Sequence, residues 1–294
     1  MWLIWTVVAY FFNAIAVLID KSLFYTKTVT KPAAYVITIC TLGLLVFILA
    51  PWGFYFPGVW PWFLSLGAGL CFTIALWLLF ISLQKGEASR VTSFIGAWSP
   101  IFVLIASYLL INETLSRYEI MAFVFLVLGG FLIVSGRGGL SNHAKYTALA
   151  SALSFALFYT LSKQVFTVTD FINGLIWIRI AAFAFALPLL FIPSTIPAIK
   201  QSFSTKPAAK FAFVCGQISA ALSALVVNYA ISLGSVSLVN ALQGLQYVFL
   251  LFLVMMFSWK WPKLLSEEFS GSVLARKLAA IVLIVGGLSI LAFV

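Results

Sequence analysis

The chain alternates between long apolar runs and short polar breaks. Ten runs stand out, at residues 2–19, 33–52, 59–83, 91–111, 118–135, 146–166, 171–192, 208–233, 236–258 and 277–294. A helix that spans a membrane takes roughly 20 apolar residues, so each run is read as one spanning helix. The runs are continuous rather than alternating, which excludes a membrane β-barrel with its alternating segments of about ten residues. Turn chemistry separates the runs. Pro51-Trp52-Gly53 and Phe56-Pro57-Gly58 close the second and open the third. Ser116-Arg117-Tyr118-Glu119 has the spacing of a capping box at the start of the fifth. Asp170 is a candidate N-cap for the seventh, and Pro207 suits the first turn of the eighth.

Composition agrees with this pattern. Of 294 residues 64% are hydrophobic and 8% are charged, and mean hydropathy is +1.15. A soluble domain carries about 25% charged residues. A soluble enzyme, a nucleic-acid binder and a disordered tail are therefore excluded, and the fold class expected is an all-α integral membrane protein. Cys40, Cys71 and Cys215 all fall in apolar runs and read as packing residues. The opening Met1-Trp2-Leu3-Ile4-Trp5 lacks a basic region, so no cleaved signal peptide is expected.

The order of local motifs repeats. Lys85-Gly86-Glu87-Ala88-Ser89-Arg90-Val91 aligns with Leu233-Gly234-Ser235-Val236-Ser237-Leu238-Val239, and Gly96 then falls on Gly244. Val127-Leu128-Gly129-Gly130 aligns with Ile284-Val285-Gly286-Gly287, and Lys21 with Lys163. One match per corresponding helix points to a duplication of five helices. Residues 1–136 form the first copy, 137–145 a linker and 146–294 the second. Five is odd, so the second copy enters the membrane inverted. Equivalent loops must then lie on opposite sides, and their basic charge should be reciprocal.

It is. Lys21, Lys27 and Lys31 follow the first run, whereas only Lys163 follows the sixth. The loop after the second run has no base, and its equivalent has Lys200, Lys206 and Lys210. Lys85 and Arg90 follow the third run, and nothing basic follows the eighth. Arg117 alone follows the fourth, against Lys260, Lys263, Arg276 and Lys277 after the ninth. With Arg137 and Lys145 in the linker, odd-numbered loops hold 14 of the 17 bases and even-numbered loops hold 2. The net charge of +10 thus reads as topology. Positive charge stays inside, which puts both termini outside, in a multi-pass protein of the cell's inner or plasma membrane.

Three motifs carry a family resemblance: Ser82-Leu83-Gln84-Lys85-Gly86-Glu87-Ala88-Ser89, Pro100 followed by Leu110-Ile111-Asn112-Glu113-Thr114-Leu115-Ser116, and Val127-Leu128-Gly129-Gly130. With the five-plus-five duplication, they make the chain similar to the drug/metabolite transporter superfamily in its EamA-type ten-helix branch. The resemblance implies movement of small organic metabolites by alternating access, and marks Pro100 and Glu113 as gating or coupling candidates. The second half departs from the pattern. Val248 stands where a second proline would fall, and Glu267-Glu268 replace a single acid. Members usually keep both termini in the cytoplasm, the opposite of the charge count here.

No enzymatic motif is found, and neither a cofactor nor a metal site is expected. His143, the single histidine, reads as a solvated loop residue. All seven acids lie near run ends, so no mid-membrane carboxylate is available for a proton or sodium relay. Glu113 reads either as a functional acid or as a helix-end carboxylate paired with loop bases. Arg179 is the one charge deep in a run. It either recognises a substrate anion or is a structural arginine held by backbone carbonyls. Asn13, Trp98, Ser99, Asn228, Asn240, Gln243, Gln246 and Tyr247 complete the candidate substrate-binding set. For each, hydrogen bonding between helices is the alternative. Asn240, Gln243 and Gln246 share one face by helical spacing. Paired glycines at 129–130, 286–287 and 67/69 allow close helix approach, as tight packing or as a sliding surface.

The expected partners are a small-molecule substrate, such as an amino acid or a related zwitterion or anion, and membrane lipid, with no nucleic acid. A monomer or a homodimer is expected. The competing reading is a non-transport membrane protein, a lipid-handling enzyme or an assembly scaffold. An enzyme would need a polar catalytic cluster, and a scaffold would not need a stripe of amides.

Overall fold

A computed structural model of the chain describes residues 1–24, 31–86, 88–134, 140–202, 207–257 and 271–293. Glu87, Glu267, Glu268, Lys27, Arg137, Lys206, Lys260, Lys263 and the start of the proposed linker lie outside these. The described residues contain no strand. In lipid each backbone N–H and C=O must be satisfied within the protein, and a helix does this by itself. The helices are α1 (Trp2–Phe24), α2 (Pro32–Gly43), α3 (Val59–Lys85), α4 (Ala88–Ile111), α5 (Arg117–Val134) and α6 (Asn142–Val168). They continue with α7 (Phe171–Ala186), α8 (Thr195–Ser202), α9 (Pro207–Leu233), α10 (Val236–Ala241), α11 (Gly244–Phe257) and α12 (Gly271–Phe293). Among the described residues, eight helical segments are long and apolar enough to cross a membrane. The fifth and sixth runs are helical too, as α5 and α6, and α6 is the more polar of the two.

Three runs are not uniform helices. The second passes from α2 into a 3₁₀ stretch, Leu44–Trp52, and the seventh from α7 into another, Leu187–Phe191. The ninth is split into α10 and α11.

The helix-start signals resolve one by one. The Ser116 N–H donates to Glu119 Oε2 at 2.7 Å and the Glu119 N–H to Ser116 Oγ at 3.3 Å, a reciprocal capping box. Pro207 is the first residue of α9. Asp170 stands at the N-cap position of α7 but caps nothing with its side chain. Its carboxylate instead accepts from the Tyr55 hydroxyl at 3.0 Å. That tyrosine belongs to a strap over the start of α7. Its N–H donates to Asn173 Oδ1 at 3.2 Å, and its carbonyl accepts from Trp177 Nε1 at 2.9 Å.

The helices gather into two compact units that do not follow the sequence halves. Unit one holds residues 1–28, 114–137 and 205–294, and unit two holds 29–113 and 138–204. Within unit one, α1 packs on α9 and α11, and α5 packs on α12. Within unit two, α6 packs on α3 and α4, and α7 packs on α3 and α2. The leading helix of each half thus packs on the third and fourth runs of the other half. The polar character of α6 is absorbed here. Ser151 Oγ donates to the Ala75 carbonyl at 2.8 Å, and Ser82 Oγ of α3 donates to the Ala144 carbonyl at 2.9 Å.

The α5–α12 crossing is reciprocal. A Cβ on Gly129 would lie 2.7 Å from Ile284 Cγ1 and 3.0 Å from the Ala280 carbonyl. A Cβ on Gly287 would lie 2.8 Å from Leu126 Cγ and 3.0 Å from the Ala122 carbonyl. Ala122, Leu126 and Gly129 are answered by Ala280, Ile284 and Gly287 at one constant interval. Early residues of α5 meet late residues of α12, so the pair is antiparallel. Gly69 makes a comparable close approach in unit two, where a Cβ would lie 2.5 Å from the Ala182 backbone nitrogen.

Candidate functional site

Unit one contains Asn13, Asn228, Asn240, Gln243, Gln246 and Tyr247. Five of these six lie on or against the ninth run where α10 gives way to α11. Ser235 starts α10 as an N-cap, its Oγ accepting from the Leu238 N–H at 3.1 Å. After Ala241 the bonding changes to three-residue spacing. The Gln243 N–H donates to the Asn240 carbonyl, Leu245 to Leu242 and Gln246 to Gln243. Side chains three apart eclipse in such turns. Asn240, Gln243 and Gln246 therefore line up more closely than a continuous α-helix would place them.

The interruption frees a carbonyl. In an unbroken helix the Val239 carbonyl would accept from the Gln243 N–H. Here it accepts from the Tyr10 hydroxyl of α1, at 2.9 Å and buried. One turn further along α1, Asn13 Nδ2 donates to Gln246 Oε1 at 2.9 Å. Asn240 Nδ2 turns back to the Val236 carbonyl at 2.9 Å. Gln243 is half-buried. On α9, Asn228 Nδ2 donates to the Ala224 carbonyl at 2.7 Å, while its Oδ1 is buried with no partner among the described residues. Gly244 sits at the break because the backbone of α5 comes close, with Gly130 Cα 3.4 Å from where a Cβ would stand.

Tyr10 was not among the sequence candidates, although Thr6, Tyr10 and Asn13 form a polar stripe at i, i+4 and i+7. Its hydroxyl carries a checkable expectation. Tyr10→Phe leaves a buried carbonyl unpaired, which costs about 1–3 kcal/mol. The thermal unfolding temperature of the detergent-solubilised protein should fall. An unchanged value would mean that the carbonyl finds another donor.

Unit two contains Trp98, Ser99, Pro100, Glu113 and Arg179. Pro100 lies inside α4, which nevertheless runs unbroken from Ala88 to Ile111. The ninth run, which has no proline, is the one that is interrupted. Ser99 is buried, and Trp98 stacks on Phe102 with ring centres 6.0 Å apart. The α4 helix ends on Asn112, in the left-handed region with φ 52°, and the Glu113 N–H returns to the Ser107 carbonyl at 3.2 Å. Glu113 interacts electrostatically with Lys163 of α6.

Arg179 lies mid-way along α7. Its guanidinium carbon stands over the Phe72 ring at 4.7 Å from the ring centre. Cys40 and Tyr159 are close enough to interact with its charge, and its Cδ would touch a Cβ placed on Gly43. The three acids whose side chains are described are engaged elsewhere: Glu119 in the capping box, Asp170 with Tyr55, and Glu113 with Lys163. An arginine at the centre of a spanning helix costs about 2.5–3.5 kcal/mol on insertion scales. A cation–π contact returns about 0.5–2 kcal/mol. Most of the charge is left for something else to neutralise.

The described residues hold no His, Cys, Asp and Glu group that could bind a metal. No curated protein matches the chain. A protein of known crystal structure shares the fold, with a TM-score of 0.67 at 16% identity, over 97% of this chain and 96% of that one. Residues 1–135 match the EamA-like transporter family, the same branch that the sequence motifs resemble. Over its first 135 residues the chain is similar to the EamA-like transporter family, of the drug/metabolite transporter superfamily, and it is a multi-pass membrane protein.

Proposed function

We propose that the protein is a secondary-type carrier that moves small organic metabolites across the membrane by alternating access. The observation that carries this reading is the interrupted ninth run, with Asn240, Gln243 and Gln246 aligned on it and a carbonyl released beside them. Broken helices at membrane depth are tolerated where they are buried in protein or line a water-filled cavity, and carriers use them to hold substrate. The family match supports the reading. The reciprocal α5–α12 crossing and the exchanged leading helices support the inverted duplication behind it. Ten spans are then arranged as two inverted repeats of five. Alternating access also needs bodies that move as wholes, and two compact units are available.

In this carrier Asn13, Asn228, Asn240, Gln243, Gln246 and Tyr247 supply neutral donors and acceptors from unit one. Trp98, Ser99 and Arg179 supply ring surface, a hydroxyl and a cation from unit two. The amides of unit one by themselves suit zwitterionic metabolites, amino acids among them, and Arg179 of unit two by itself suits anionic ones. The charge count puts both termini outside.

Proteoliposomes holding the full chain and a metabolite panel test the reading. Uptake of at least one metabolite is expected, and no transport by well-folded protein overturns it. A cysteine at Gln243, in a background with Cys71 and Cys215 replaced by alanine, should react with a water-soluble thiol reagent and be protected by that metabolite. An inert cysteine assigns the amide row to packing. A C-terminal reporter should give an external signal, and a cytoplasmic one reverses the orientation.

A further inference from the structure

Cys40 and Tyr159 lie close to the charge of Arg179, and Phe72 lies beneath it. Rings of α3 and α6 thus lie near Arg179, and those of α4 continue the aromatic cluster beyond them. Phe72 of α3, directly beneath the guanidinium, lies 6.4 Å from Phe155 of α6. Phe155 lies 6.4 Å from Tyr159 one turn further on, nearly parallel at 25°. Phe155 and Trp98 pack on the same buried cluster of Val91, Ile95, Ala148 and Ala152, and Trp98 stacks on Phe102 of α4. All five rings, and Arg179 itself, keep part of their surface open.

This geometry divides the labour of the guanidinium. The guanidinium carbon stands over Phe72, and its N–H groups remain as donors. Those form a fork that matches a carboxylate with two parallel hydrogen bonds. Rings beside that fork offer edges and faces to a further ring. An aliphatic anion would use the charge and leave the rings unused. A neutral arene would use the rings and leave the charge uncompensated.

We propose that unit two holds a subsite for an organic carboxylate bearing a flat aromatic group, its charge forked onto Arg179 and its ring laid against Phe72 and Tyr159. The proposal rests on the carrier reading and names the class of substrate that Arg179 selects.

The test is a binding measurement, independent of transport. The purified full chain in lipid nanodiscs is titrated with three probes: 3-phenylpropanoate, 3-cyclohexylpropanoate and 2-phenylethylamine. The first should bind about three- to tenfold more tightly than the second, which has the same charge and no π-face. The amine should not bind. Arg179→Gln should abolish binding of 3-phenylpropanoate, and Arg179→Lys, which keeps the charge but loses the fork, should weaken it. Phe72→Leu should erase the preference for the aromatic ring. Equal affinity for the two carboxylates, binding that survives Arg179→Gln, or no binding by folded protein would each overturn the subsite. The two readings fail separately. Selective binding with no transport of any metabolite removes the carrier and keeps the subsite. Transport of other metabolites without selective binding does the reverse.

Discussion

Arg179→Gln should abolish transport and leave the protein as stable as before, or more so. The two halves of that expectation come from different physics. A charge-assisted hydrogen bond is worth about 1.5–3 kcal/mol, more for a bidentate pair, so its loss should reduce uptake of an anionic substrate by about a hundredfold. Stability moves the other way. The guanidinium has no carboxylate partner among the described residues and is charged at mid-helix. Replacing it by a neutral amide of similar reach removes an insertion cost. A structural arginine bonded to backbone carbonyls would give the opposite result, because its loss would leave acceptors buried and unpaired. Uptake and thermal unfolding measured on one preparation therefore separate the two roles. Lower stability with transport retained would make Arg179 structural.

Two neighbouring glycines supply the second large effect. Gly287→Ala should destabilise the protein by about 1–3 kcal/mol, the usual cost of overpacking a fitted contact. Gly286→Ala should cost nothing or stabilise by up to about 1 kcal/mol, since alanine is the better helix former. The difference is spatial. A methyl at 287 meets Leu126 and the Ala122 carbonyl inside contact distance, whereas at 286 the nearest atom is Phe125 Cδ1, 4.0 Å away. Gly129→Ala should behave like Gly287→Ala, because it meets the same kind of wall from the other side of the crossing. Unfolding temperatures of the three variants in detergent check this. Equal values at 286 and 287 would mean that α5 and α12 do not cross where the glycines place them.

The spans themselves were legible from hydropathy, because each apolar run satisfies its own backbone by coiling. The capping box at Ser116 and Glu119 was legible for the same reason, since both partners lie within one turn. Asp170 shows where that locality stops. Its position at the start of α7 was readable, but its carboxylate serves Tyr55, 115 residues away. The amide row was readable as a shared face, yet nothing in residues 236–258 announces a break. Pro100, by contrast, sits in an unbroken helix. The break depends on Tyr10 and on the backbone of α5 near Gly244, both from distant segments. Arg179 was conspicuous as a deep charge, but the aromatic rings near it come from α3 and α6.

Taken alone, the sequence determined what is local: the helices, their ends, the reciprocal charge of the loops and the family of the first half. Tertiary structure decided what depends on neighbours: the exchange of leading helices, the glycine crossing, the bond that the Tyr10 hydroxyl donates to the Val239 carbonyl and the rings near Arg179. The physical reason is the range of the interactions. Lipid forces each backbone to bond within its own segment and leaves side-chain packing to choose the partners.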